Sequence, residues 1–175
     1  IPPQTRREAL TEVRAQLDTV SGSILNIRVG GNDLSHAFGL RRPANRTIYD
    51  LRPVADILID IVAAFGTQYV VSGPVWEYYS GEGWEEGLRR EMELDLLNGF
   101  TGKTVIHPNQ IPVVNEMLRV SQRDYADARA ILNWDTGSGS LVSASEDGGR
   151  MNEYNTHSRW ARRIVLRAER YGVRA

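Results

Sequence analysis

Along the first two thirds of the chain, short apolar runs alternate with stretches of helical period. Residues 4–19 set Leu10, Val13 and Leu17 at helical spacing opposite a charged face, and Ser21-Gly22-Ser23 breaks that helix. Ile24 to Val29 reads as a strand, closed by Gly30-Gly31 and followed by a short polar–apolar segment to Leu40, with a loop over Arg41 to Asn45. Asp50 suits an N-cap with Pro53 in the first turn. Leu51, Val54, Ala55, Leu58, Ile61, Val62 and Phe65 then form the stripe of a helix ending at Gly66. Tyr69 to Ser72 is a second strand, cut off by Gly73-Pro74, and Trp84, Leu88, Met92 and Leu96 mark the next helix. Lys103 to Ile106 is the third strand. Ile111 to Leu118 and Tyr125 to Trp134 are helical, and a Gly/Ser linker lies around 136–140. An irregular or hairpin region runs to Arg150. Thr156 suits the cap of a last helix whose apolar face carries Trp160, Ile164, Val165 and Ala168.

The order is therefore one helix, three βα units and an all-helical tail. Strands alternating with helices pair in parallel, because a parallel pair needs a crossover. Apolar pairs such as Val70-Val71 and Val105-Ile106 suit strands covered on both faces. Three strands make a poor sheet alone but a good part of a (β/α)8 barrel. The expected fold is α/β: the C-terminal portion of a TIM barrel with parallel strands over 1–120, then a helical C-terminal extension over 121–175. The chain opens Ile1-Pro2-Pro3 without methionine, as a trimmed chain or fragment would.

Composition narrows the chemistry. The 175 residues are 41% hydrophobic and 25% charged with a net charge of −1, which gives no global pull toward nucleic acid or an anionic membrane. Seven arginines against two glutamates from Arg150 onward leave the tail at +5 and the rest at −6, a pattern read as a solvated helix face. There is no cysteine, so disulfides, thiolate catalysis and Cys-ligated metals are excluded. No signal peptide or stretch of membrane-spanning length stands out, and a cytoplasmic location is expected.

Ligands of parallel α/β folds sit at the carboxyl ends of the strands. Two such edges stand out, Ile24 to Leu34 and Gly99 to Ile111. Asp33, just past the Gly30-Gly31 turn, can hold Mg²⁺, a hard cation that takes one or two carboxylates with water and substrate. Equally, Asn32 or Asp33 can cap the helix that follows. His107, where the third strand ends, fits either of two roles: orienting substrate and donating to a developing oxyanion, or a structural hydrogen bond to a loop. Lys103, the single lysine, opens its strand in this reading and so faces the end opposite the site. Glu77, Glu82, Glu85 and Glu86 crowd the segment after the second strand and are explained by the dipole of the helix they open. His36 and His157 lack partners at metal-ligand spacing.

Gly30-Gly31-Asn32-Asp33-Leu34, with Gly99-Phe100-Thr101-Gly102-Lys103 running into Ile106-His107-Pro108-Asn109-Gln110-Ile111, resembles the HpcH/HpaI aldolase and citrate lyase β-subunit superfamily. Asn26 to Asp33 is most similar to its branch of carbon–carbon bond lyases of the TIM-barrel fold. The likeness continues through Tyr125 to Ile131, Asp147 to Met151 and a final helix, and so covers the chain from about Ile24 onward. It implies an Mg²⁺-dependent carbon–carbon lyase or aldolase acting on a 2-oxo acid or acyl-thioester through a metal-stabilised enolate. Asp33 would be a metal ligand; Gly30, Gly31, Asn32, Ser72, Gly73, Pro74 and Val75 would bind substrate; His107 and Glu153 would be catalytic. The family's second metal ligand, a glutamate, and its substrate-gripping arginine would lie upstream of Ile1. Asn152-Glu153 stands where relatives carry an aspartate that can act in a neighbouring subunit's site, and Gly83-Trp84 stands where an aspartate-glycine pair is common, so coenzyme A use is left open. The resemblance also implies a homo-oligomer, with the basic helix from Arg159 to Arg174 serving subunit contacts. The alternative is a non-catalytic barrel relative or interaction module that keeps the fold without the full metal site; a small phosphate-binding domain, with an anion at Gly30-Gly31, is a third option.

Overall fold

A computed structural model describes residues 2–134 and 142–174, so the Gly/Ser linker expected around 136–140 lies outside the described residues. The chain divides into two compact units, residues 1–117 and 118–175.

The first unit is built on a three-stranded parallel sheet in the order β1-β2-β3: β1 (Ile27–Arg28), β2 (Val71–Gly73) and β3 (Gly102–Lys103). The register pairs Ile27 with Val71, Arg28 with Ser72, Ser72 with Gly102 and Gly73 with Lys103. Helix α1 (Pro3–Asp18) precedes the sheet, and α2 (Gly31–Ala37) and α3 (Arg52–Phe65) lie between β1 and β2. Helix α4 (Trp84–Leu97) links β2 to β3, and α5 (Gln110–Met117) follows. The α/β order and the parallel pairing agree with the sequence pattern.

The core gathers Val29, Ile48, Val54, Leu58, Phe65, Tyr69, Val71 and Phe100, with Leu10 and Leu17 of α1 packed against it. Each such side chain contributes about 1.5–3 kcal/mol when fully buried. Val13, placed on the same apolar stripe by spacing, is instead 46% exposed. Polar ties hold α1 down as well: Arg14 donates to the Ala64 carbonyl at 2.6 Å, and the Tyr69 hydroxyl donates to Asp18 at 2.6 Å.

Several local expectations are corrected. The third strand is Gly102–Lys103, so Lys103 closes it, and Ile106 lies beyond it at 56% exposure. Asp50 does not cap α3; it closes a capping box with Thr47 around the turn Ile48–Asp50, accepting from the Thr47 N–H at 2.7 Å. That backbone donor holds its carboxyl below the usual range. Neither Asn32 nor Asp33 caps α2, because Gly30 takes the N-cap position without any side-chain capping bond.

The second unit is not all helical. Strands β4 (Val120–Ser121) and β7 (Val173–Arg174) pair in parallel, and β5 (Val142–Ala144) and β6 (Met151–Glu153) form an antiparallel hairpin. Helices α6 (Gln122–Leu132) and α7 (Tyr154–Tyr171) enclose a core of Val120, Ala128, Ile131, Ala161, Ile164 and Ala168. Glu153, not Thr156, sits at the N-cap of α7, and it makes no side-chain capping bond. No helix among the described residues is long and apolar enough to cross a membrane.

Candidate active site

A cavity of about 300 Å³ opens at the carboxyl edge of the sheet, bounded by Arg28, Gly30, Gly31, Asp33, Val75 and Thr104. Its shape follows from two glycines. A Cβ on Gly31 would come within 2.4 Å of the Pro74 Cβ and 2.7 Å of the Ile48 Cδ1, so only glycine lets the start of α2 meet the loop after β2. A Cβ on Gly30 would lie 2.4 Å from the Asp33 Oδ2, the space over which that carboxylate folds back. Asp33 lies in the first turn of α2, is exposed, and carries no ion pair among the described residues.

Magnesium takes one or two protein carboxylates and completes its octahedron with water and substrate. Asp33 supplies one such oxygen donor beside an open cavity, and no group of three or more His, Asp or Glu side chains able to hold a metal occurs among the described residues. This donor set suits a cation shared with substrate and water, not an all-protein cage.

The alternation of side chains along the strands sorts the remaining residues. Arg28, Ser72 and Thr104 share one face: Arg28 pairs in register with Ser72, and the Arg28 Nε donates across the sheet to the Thr104 Oγ1 at 3.4 Å. Gly73 and Lys103 occupy the other face, against α4, where a Cβ on Gly73 would lie 2.6 Å from the Asp95 Oδ2. Lys103 is fully buried there, its Nζ 2.7 Å from both Glu91 and Asp95. Enclosure between two carboxylates, and not a position at the strand's far end, is what keeps this amine from substrate.

Glu91 and Asp95 belong to a network that sequence reading missed. Arg42, buried to 1%, places its Nη2 2.6 Å from the Val75 carbonyl and its Nη1 3.4 Å from the Asn32 Oδ1. The Nη2 also donates to Glu91 at 3.1 Å, while the Nε lies 2.8 Å from the same carboxylate off the hydrogen-bonding line, and the guanidinium rests 5.1 Å above the Trp76 ring. Glu91 also accepts from the Ile48 N–H at 2.7 Å, and Asp95 from the Tyr49 hydroxyl at 2.7 Å. Burial pushes the Asp95 carboxyl upward against the opposing pull of Lys103. Burial, and then Asp95, pushes the Tyr49 phenol well above its ordinary value. The network fixes Asn32 and Val75, which flank the cavity, to the helix layer behind the sheet.

His107 stands outside the cavity wall. It stacks on Tyr79 with ring centroids 4.1 Å apart, and its Nδ1 accepts the Asn109 N–H at 3.2 Å. That bond leaves the proton of the neutral imidazole on Nε2. Gln110, wholly buried, donates to the carbonyls of Trp76 (2.7 Å) and Tyr78 (2.9 Å) and accepts the Ile106 N–H (2.9 Å), joining the loops after β2 and β3. Glu85 and Glu86 occupy the first turn of α4, as the dipole argument expects, and Glu77 pairs with Arg41 at 3.2 Å.

In the second unit, the segment Asp147 to Met151 forms the β5–β6 turn and its exit. Arg150 docks it on α6 through Asp127 (2.5 Å) and Asp124 (2.8 Å), and Asn152 donates to Asp127 at 3.1 Å. The backbone N–H of Glu153 is taken up by the His157 Nδ1 at 2.9 Å.

The family model for carbon–carbon bond lyases of the TIM-barrel fold matches residues 1–173, and the chain belongs to that family. Among curated relatives, the L-malyl-CoA/β-methylmalyl-CoA lyase of Cereibacter sphaeroides strain ATCC 17025 is 38% identical over 74 residues, 41% of this chain and 22% of that protein. The protein of the same description from strain KD131 is 36% identical over an equal span. Among solved structures, the CitE protein of Mycobacterium tuberculosis, in complex with magnesium, acetoacetate and coenzyme A, superposes with a TM-score of 0.61 at 26% identity, over 83% of this chain and 52% of that one. The chain thus spans about half of the solved relative, and its match to the curated relatives covers 22% of their length.

Proposed function

We propose that this chain forms one edge of the active site of an Mg²⁺-assisted carbon–carbon lyase whose substrate is an acyl-CoA thioester or a 2-oxo acid, on a TIM barrel. The observation that carries the reading is Asp33: a carboxylate with no ion pair among the described residues, on a glycine turn at the carboxyl edge of parallel strands, beside a cavity, in a chain of the lyase family. The malyl-CoA lyase relatives and the magnesium and coenzyme A of the CitE complex support the substrate class and the metal.

When bound, Mg²⁺ would be held by Asp33 and would stabilise negative charge developing on a carbonyl oxygen as the carbon–carbon bond breaks. Asn32, braced by Arg42, and Val75 keep the cavity's width, while Gly31 lets α2 close onto Pro74, Gly30 leaves room for the Asp33 carboxylate, and the backbone of both would border substrate. Ser72, Gly73 and Pro74 lie outside the cavity lining: Ser72 shares the sheet face of Arg28, Pro74 packs against Gly31, and Gly73 faces Asp95 on the other side, so they would support the site from behind. His107, stacked on Tyr79 outside the cavity wall, would donate its Nε2 proton only to a part of the substrate that extends beyond the cavity. In the homo-oligomer that the reading implies, Glu153, free of a capping role, would serve as acid or base in a neighbouring subunit's site.

The test is cleavage of L-malyl-CoA by the full-length protein, with Mg²⁺ and with chelator, in wild type and D33N. Mg²⁺-dependent turnover that falls by at least about a hundredfold in D33N, equivalent to ~2.7 kcal/mol, is the expected result. Turnover indifferent to both metal and Asp33 would overturn the metal role given to Asp33, and no turnover with any thioester or 2-oxo acid would leave the non-catalytic relative standing.

A further inference from the structure

The two faces of the sheet treat their cations differently. Lys103, on the helix face, is neutralised by two carboxylates. Arg28, one pairing step away on the other face, borders the cavity, and no carboxylate lies within ion-pairing distance of it among the described residues. Its one hydrogen bond there is the 3.4 Å contact from Nε to Thr104, which leaves the terminal nitrogens of the guanidinium without protein partners among those residues. A guanidinium is a planar fork that matches a carboxylate through two parallel hydrogen bonds, and such bonds outweigh neutral ones. An exposed cation bordering the cavity, without a counter-ion among the described residues, is suited to an anionic group brought by the ligand.

Resting on the lyase reading, we propose that Arg28 binds a free carboxylate of the substrate. Arg28 is then a specificity-determining residue. The substrate class narrows to compounds that carry a free carboxylate as well as the carbonyl adjoining the cleaved bond: an oxo acid, or a thioester whose acyl part ends in a second carboxylate. Asp33 and Arg28 divide the work at the rim. The carboxylate side chain serves the cation, and the guanidinium serves the acid group of the ligand. A simple brace between β1 and β3 through Thr104 is the competing role, and it carries no preference for acid over ester.

The experiment compares acetoacetate with its neutral methyl ester as calorimetric ligands of the full-length protein, with and without Mg²⁺, in wild type, R28Q, R28K and D33N. Expected is a preference of wild type for the acid, acetoacetate binding weakened about ten- to hundredfold in R28Q with the ester changed less than about twofold, and partial recovery in R28K. An acid-to-ester ratio equal in R28Q and wild type overturns the proposal, as does a wild type that binds the acid no better than the ester or binds neither. The lyase reading is judged separately, by whether Mg²⁺ strengthens acetoacetate binding and D33N abolishes that gain; the ratio in R28Q decides Arg28 whichever way the metal result falls. Should R28Q fail to fold, the Arg28 Nε–H resonance of wild type decides: a shift on adding acetoacetate but not the ester supports the assignment, and no shift overturns it.

Discussion

Two charged regions of the first unit lie back to back across the sheet, and they differ in one respect. Behind the sheet, Arg42, Glu91, Lys103, Asp95 and Tyr49 satisfy one another, and the two cations balance the two carboxylates. In front of it, Arg28 and Asp33 face an open cavity and pair with no opposite charge among the described residues. Charge burial is costly, so the first set survives only because every member has a partner. In the proposed site, the second set would find its partners in molecules that arrive from solution. Matched charges hold the structure behind the sheet, and the proposed site draws on the two that lack a partner among the described residues.

The sharpest way to break that contrast is on the structural side. K103M leaves Glu91 and Asp95 buried with only Arg42 to offset them, and should cost about 3–5 kcal/mol in urea unfolding; a loss under about 1 kcal/mol would mean that the cluster is not the anchor described. Next comes G31A, whose new methyl meets Pro74 and Ile48 at distances no side chain tolerates. Overpacking of this kind costs about 1–3 kcal/mol and should also weaken binding in the cavity. On the functional side, D33N and R28Q should each change unfolding free energy by no more than about 0.5 kcal/mol while altering metal and acid binding; a larger loss would assign both residues to the scaffold.

The smallest effect belongs to an exposed but satisfied carboxylate. Asp147 accepts from the Ser145 hydroxyl (2.6 Å) and the Gly149 N–H (2.9 Å), and these bonds, with Arg123, hold its pKa below the ordinary 3.8. Because the folded value is the lower one, its contribution to the hairpin is present above 3.8 and fades as pH falls through the folded value. A carboxyl carbon-13 titration should place the Asp147 midpoint below 3.8, and D147N should flatten the acid dependence of the hairpin's amide shifts; a midpoint at or above 3.8 would contradict the geometry.

What could be read from sequence followed local signals. The stripe from Val54 to Phe65 and the glycine turn before Asp33 announce their elements, because helical period and turn chemistry are written within a few residues. The Asp33 edge and the helix-opening glutamates follow from the same signals. The third strand was misread because Val105 and Ile106 are apolar, yet the ladder ends at Lys103, where pairing with β2 runs out. Arg42, Glu91 and Asp95 lie 49 and 53 residues apart at the extremes, and no spacing rule joins residues that only tertiary packing brings together. Arg28 did carry a signal, the one charge in the Ile24 to Val29 run, set between Ile27 and Val29, and strand parity was the key to reading it.

Gln110 has a kinetic consequence. Loops at strand ends of this kind often swing as lids on the microsecond-to-millisecond scale. Here one buried amide holds two carbonyls of the loop after β2 and an N–H of the loop after β3. Each bond is worth about 0.5–1.5 kcal/mol, and a hinge at Trp76 to Tyr78 would have to release its carbonyls together. That stretch therefore behaves as one fixed piece: the Ile106 amide should exchange its hydrogen slowly, and any lid motion near the sheet edge must come from residues that move without it.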